Sequence, residues 1–111
     1  MILAESREVK LDANGRGVLT FQPARYGEEW VITRMTTYGN ASQEPLVRVY
    51  RGAESSTGLV DTSNSGNGDV SDTAELPLFA GETLTVVYED GSAGATMSFR
   101  VEGELNRRGI S

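Results

Sequence analysis

The chain has no cysteine and no histidine among its 111 residues. Without cysteine, neither a disulfide nor a thiolate zinc site can form. Without histidine, the commonest general base and the commonest transition-metal ligand are missing. Lysine is nearly absent too: Lys10 stands alone, and every other basic residue is arginine. Any catalysis would have to rest on carboxylates, tyrosines or Lys10. Positive charge is scarce, with a formal net charge of -6. Phosphate binding needs clustered cations, so a nucleic-acid partner is disfavoured. The acids are spread along the chain, the pattern of a solvated surface. No stretch approaches the roughly 20 apolar residues that span a bilayer. Met1 to Ala4 are apolar, but Glu5 follows at once and no secretion-signal core forms. The expectation is one domain, folded in a cytoplasm, with no membrane partner. A chain of this size buries roughly two-thirds of its unfolded surface, enough for one modest core.

What the chain does have is alternation. Between Leu76 and Glu104, Leu84, Val86 and Tyr88 alternate with Thr83, Thr85 and Val87. Beyond a glycine-rich turn, Gly91 to Gly94, Met97, Phe99 and Val101 alternate with Thr96, Ser98, Arg100 and Glu102. Strict alternation marks a strand with one buried and one wet face. A hairpin over this turn would pair Tyr88 with Met97, Val86 with Phe99 and Leu84 with Val101. A second hairpin signal lies at Asp12 to Arg16. A three-residue loop, Ala13 to Gly15, sets Val9 opposite Leu19 and wants Gly15 left-handed.

Further strands are expected at Glu29 to Tyr38, Leu46 to Arg51, Gly58 to Thr62 and Thr73 to Phe79. In the first of these, Val31, Thr33 and Met35 face one way and Trp30, Ile32 and Arg34 the other. Pro77 demotes the last toward a sheet edge. About eight short strands with frequent turn signals and no helical period predict an all-β, jelly-roll-like antiparallel sandwich. The expected organisation is an arm over residues 1–5, a sandwich over 6–105 and a tail over 106–111.

Candidate sites are few. In DTSNSGNGDVSD, Asp61, Ser63, Ser65, Gly66, Asp69 and Asp72 fall at positions 1, 3, 5, 6, 9 and 12 of a calcium-loop spacing. Serines stand where carboxylates are preferred, and a solvated connecting loop uses the same residues for turn chemistry. No cofactor or metal is therefore assigned, and calcium is kept only as a candidate for this loop. Tyr26, Trp30, Tyr38 and Tyr50 are candidates for a sugar-stacking platform, although aromatic rings on strands usually pack. Glu28, Glu29, Glu89 and Asp90 are paired acids, but glycoside hydrolysis needs two carboxylates across a cleft. No catalytic residue is assigned, and the chain is not expected to be an enzyme. Ile2 and Leu3 at one terminus and Arg107, Arg108 and Ile110 at the other are candidate partner contacts, suited to strand addition.

The segments VYRG (Val49 to Gly52), SGNGDVSDT (Ser65 to Thr73) and LPLFAGETLTVVYEDGSAGATMSFRVEGE resemble small β-sandwich virion proteins of tailed bacteriophages of actinobacterial hosts. The resemblance spans residues 8 to 104, and the arginine-over-lysine bias fits a GC-rich host genome. It implies a structural protein of the virion, a minor tail or tail-tip protein or a capsid decoration protein. Its partners would be other virion proteins, with copies of itself in a symmetric homo-oligomer. The alternative is a carbohydrate-binding module that recognises a host cell-surface glycan.

Overall fold

The computed structural model describes residues 1–23, 27–43, 45–52, 58–63, 68–71 and 76–107. The regular structure in them is all β: β1 (Ile2–Lys10), β2 (Gly17–Phe21), β3 (Glu28–Gly39), β4 (Leu46–Arg51), β5 (Leu59–Ser63), β6 (Gly68–Ser71), β7 (Leu76–Phe79), β8 (Leu84–Glu89) and β9 (Thr96–Arg107). They form two antiparallel sheets. The long sheet runs β1-β9-β3-β6, with β7 also paired to β3, and the short sheet runs β2-β8-β4-β5. This is jelly-roll order with β7 added. β3 and β9 carry 12 residues each, about 40 Å of strand. The longest strands of the short sheet have 6. The protein is accordingly elongated, 50 × 23 × 21 Å.

The alternation locates the core correctly. Leu84, Val86 and Tyr88 are fully buried, as are Met97, Phe99 and Val101. They face one another across the sandwich and are not hydrogen-bonded neighbours. β8 pairs with β2 and β4, whereas β9 pairs with β1 and β3. The expected pairing of Val86 with Phe99 is therefore wrong: Val86 pairs with Leu19 and Val49, and Phe99 with Arg7 and Thr37. The turn from Asp90 to Ala95 is an arch between sheets. The expected hairpin over Asp12 to Arg16 is an arch too, because β1 and β2 lie in different sheets. Gly15 is nonetheless left-handed, at φ 73°. Alternation reports which face is buried; it is silent on whether the next strand lies beside or opposite.

Two side-chain contacts tie the layers. The Phe21 and Phe99 rings sit 5.9 Å apart at 53°. The hydroxyls of Thr37 and Tyr88 are 2.8 Å apart, and Thr37 Oγ1 also donates to the Ser98 carbonyl at 3.1 Å. Burial pushes the Tyr88 phenol up to about 12, against a smaller opposing effect of the Thr37 hydrogen bond.

Four other expectations change. The predicted arm is strand: β1 begins at Ile2, and Leu3 is 2% exposed within the core. At the other end β9 continues to Arg107, past the expected start of the tail. Residues 68–71, expected as loop, form β6 against Met35 to Thr37. In β3 the faces switch midway. The register against β9 slips between Ile32 and Arg34, so Thr33 is an extra residue. A bulge of this kind brings Trp30, Ile32 and Met35 to the same buried face. Gly103 sits opposite it, and a Cβ there would lie 1.9 Å from the Val31 carbonyl oxygen.

Gly103→Ala is expected to cost about 1–3 kcal/mol, the range for overpacking, read as a lowered melting temperature. The raised Tyr88 pKa makes an alkaline prediction. The unfolded chain ionises Tyr88 near its ordinary 10.0, while the folded chain resists until about 12. Its stabilising contribution is thus full below pH 10 and lost as pH rises toward 12. Denaturant titrations at pH 9 to 12 should show a decline that is smaller in Tyr88→Phe.

Candidate functional site

The two ends of the sandwich differ. At one end, the arches Leu11 to Arg16 and Asp90 to Ala95 and the segment Asn40 to Gln43 are laced together. The Gly91 amide donates to the Gly15 carbonyl at 3.1 Å, and the Gly94 amide to Leu11 at 3.0 Å. Ser92 Oγ accepts from the Gln43 amide at 2.8 Å and lies 2.9 Å from Ser42 Oγ, while Gln43 Nε2 donates to the Asp90 carbonyl at 2.7 Å. Asp12 Oδ1 accepts from the amides of Asn14 and Arg16, fixing the turn that holds Gly15. Such a lattice has little freedom to close on a ligand.

At the other end the long sheet outreaches the short one. An open hollow of about 490 Å³ is lined by Arg51, Gly52, Gly81, Glu82, Thr83 and Thr85. Its charges are already matched. Arg51 Nη2 donates to both carboxylate oxygens of Glu82, at 3.1 and 3.0 Å, and the Phe79 amide donates to Glu82 Oε1 at 2.8 Å. The Phe79 amide first, and Arg51 second, hold the Glu82 carboxyl below its usual range. Thr85 Oγ1 is committed to the Gly52 carbonyl at 2.7 Å. The hollow offers a ligand no unmatched cation.

Those residues singled out in the sequence that are described lie on several different elements. The calcium-loop spacing is broken by strands: Asp61 and Ser63 lie in β5 of the short sheet, and Asp69 in β6 of the long one. Ser65 and Asp72 lie outside the described residues, as do Tyr26, Arg108 and Ile110. Of the aromatic candidates that are described, Trp30 is 2% exposed and Tyr50 is 6% exposed, and only Tyr38 lies on the surface. The Trp30 indole donates to Glu28 Oε1 at 2.8 Å inside the core. Glu28 and Glu29 open β3 at the hollow end, whereas Glu89 and Asp90 close β8 at the laced end. The two acid pairs therefore share no cleft.

What the structure brings together is the end and edge of the long sheet. Ile2 (89% exposed) pairs with Glu104, Glu104 with Val31, and Val31 with Pro77. Phe79, opposite Glu29, is 40% exposed in the adjoining row. This outer face thus carries apolar groups beside two acids, Glu104 and Glu29. Arg107 is exposed at the end of β9, within the same region. Leu3 turns the opposite way, into the core, and its backbone pairs with Gly103 of β9. β1 is the outermost strand of this sheet. Sequence reading took its first residues for an arm because Glu5 and Arg7 interrupt the apolar series Leu3, Val9, Leu11.

Glu28→Ala strips the buried indole of its acceptor and is expected to cost about 1–3 kcal/mol in a denaturant titration. Glu82→Gln should lower stability at pH 7 by no more than about 1 kcal/mol, the ceiling for an exposed pair. Because the folded-state pKa is depressed, this deficit should close as pH falls below the ordinary 4.5. Comparison of the chain with protein-family models and with curated proteins finds no match.

Proposed function

We propose that the chain is a non-enzymatic structural component of a tailed phage particle, a minor tail or tail-tip protein or a capsid decoration protein. It would be made in the host cytoplasm, incorporated into the virion and act through protein–protein contacts. The observation that carries the reading is the outer end of the long sheet, where Ile2, Val31, Pro77 and Phe79 lie in adjoining rows with Glu104 and Glu29. Isolated exposed apolar residues are ordinary, but a row across neighbouring strands suits a contact surface. The jelly roll is compatible with this role without implying it, because one architecture hosts many functions. The sequence resemblance supplies the phage context. The glycan reading is weaker, since stacking a sugar needs exposed rings and two of its four candidates are buried.

Purified particles of the phage that encodes the chain should contain it, by mass spectrometry and by electron microscopy; its absence from intact virions would sink the proposal. Ile2→Asp with Phe79→Asp should reduce incorporation while leaving the melting temperature nearly unchanged. Host cell-wall polysaccharide should leave the fluorescence of Trp30 unaltered, and a saturable change would favour the glycan reading.

A further inference from the structure

The outer edge of β1 is the longest continuous strand edge among the described residues. Its nine residues pair with β9 in continuous register, with no bulge and no proline. The other edges are cut short. β2 has five residues, and β5 has five with a register slip against β4. On the far side of β3, β6 and β7 have four each, and β7 contains Pro77.

The phase of the free edge follows from the ladder. Met1 and Leu105 exchange both backbone bonds, at 2.9 and 3.2 Å, and the Leu11 amide donates to Ala95. Antiparallel pairs alternate, so the odd-numbered residues of β1 bond to β9. The N–H and C=O groups of Ile2, Ala4, Ser6, Glu8 and Lys10 consequently point outward. The inward-facing side chains along this edge are Leu3, Glu5, Arg7 and Val9. Glu5 and Arg7 are exposed, and the Arg7 guanidinium lies 5.5 Å over the Phe21 ring. Inward-facing charge ordinarily protects an edge, because a foreign strand would bury it unpaired.

We infer that this edge is an interface with a second copy of the chain, the two β1 strands pairing antiparallel about a two-fold axis at Ser6. Opposite residues in a continued sheet share a face, so only registers that match odd with odd are open. Centred on Ser6, Leu3 meets Val9 and Glu5 meets Arg7, each twice. Centred on Glu5 the register sets Glu5 against itself, and centred on Arg7 it sets Arg7 against itself. The Ser6 register alone matches both charges and both apolar residues. It also places Glu5 and Arg7 at non-hydrogen-bonded positions, where Cα atoms approach to about 4.5 Å and side chains lie closest. Ser6, Ala4 with Glu8, and Ile2 with Lys10 form the hydrogen-bonded pairs. The charges that repel other strands therefore select this one. The dimer stands apart from the virion reading and does not depend on it.

Sedimentation velocity across the micromolar to millimolar range should show a monomer–dimer equilibrium that weakens with salt. Ser6→Pro removes an amide that β9 does not use, so it should abolish the dimer and keep the melting temperature. Glu5→Arg and Arg7→Glu should each weaken self-association by at least about tenfold, through like-charge pairs. An equimolar mixture of the two should dimerise again, because each then supplies the other's missing sign. The absence of cysteine gives a test of register. Under oxidation Ser6→Cys should cross-link to itself, the Cα separation of about 5.5 Å being within disulfide range, and Ala4→Cys should not. A wild-type chain that stays monomeric throughout, or a dimer indifferent to Ser6→Pro and to the charge exchange, would overturn the proposal. Neither result bears on whether virions contain the chain.

Discussion

The long sheet depends on the insertion of β9 between β1 and β3. Among the described residues no other strand pairs with both, and β9 supplies Met97, Phe99 and Val101, all fully buried, to the core. Without β9, β1 has no hydrogen-bonded neighbour and the bulge of β3 has no Gly103 opposite it. The last strand of the chain thus joins its first strand to its third. Contacts of such sequence separation form late and slowly, since loop closure is lost before pairing is gained. Truncation within β9 should therefore affect both edges of the sheet, although residues beyond Val101 contribute little to the core.

The unequal sheets divide the molecule by role. At the laced end, two arches and the segment Asn40 to Gln43 share backbone and side-chain hydrogen bonds, and a Cβ at Gly15 would lie 2.0 Å from the Gly91 carbonyl oxygen. This end is over-determined, and its polar groups satisfy one another. At the far end, the long sheet extends past its partner and exposes a face with Ile2, Val31, Pro77 and Phe79. Surplus contact capacity is found there because this face turns away from the core and no described strand packs over it.

Much of the fold was legible in the sequence, and the failures share a cause. The buried faces of β8 and β9 followed from period-two alternation, and the left-handed Gly15 from the turn composition. Both inferred hairpins were wrong because a strand facing another across a core carries the same apolar signal as one beside it. In β3 a single extra residue, Thr33, reversed the faces downstream, and nothing in EEWVITRMTTYG announces where a bulge falls. Four-residue β6 lay within glycine, serine and aspartate, where local preference argues for a turn. Trp30 read as a platform residue because exposure is a tertiary property: Glu28, two residues earlier, satisfies its indole and permits burial. The ion pair of Arg51 and Glu82 spans 31 residues and left no local trace.

Jelly-roll order itself decides where an assembly surface can lie. Alternate crossing between sheets places β8 and β9 in the interior of each layer and leaves β1 and β2 as edges on one side. β2 is too short to offer a long ladder, so any strand addition on that side falls to β1. An edge of nine residues is a hazard in solution, and lysine, the usual guard, occurs there only as Lys10. Glu5 and Arg7 take over the task from the inner face. A neutral or apolar strand arriving at this edge would have to desolvate both charges without compensation, which costs more than a short backbone ladder returns. A strand presenting the opposite signs at the same spacing incurs no such penalty. The specificity of the edge therefore resides in two charged residues two positions apart, and not in the backbone groups that any strand could pair.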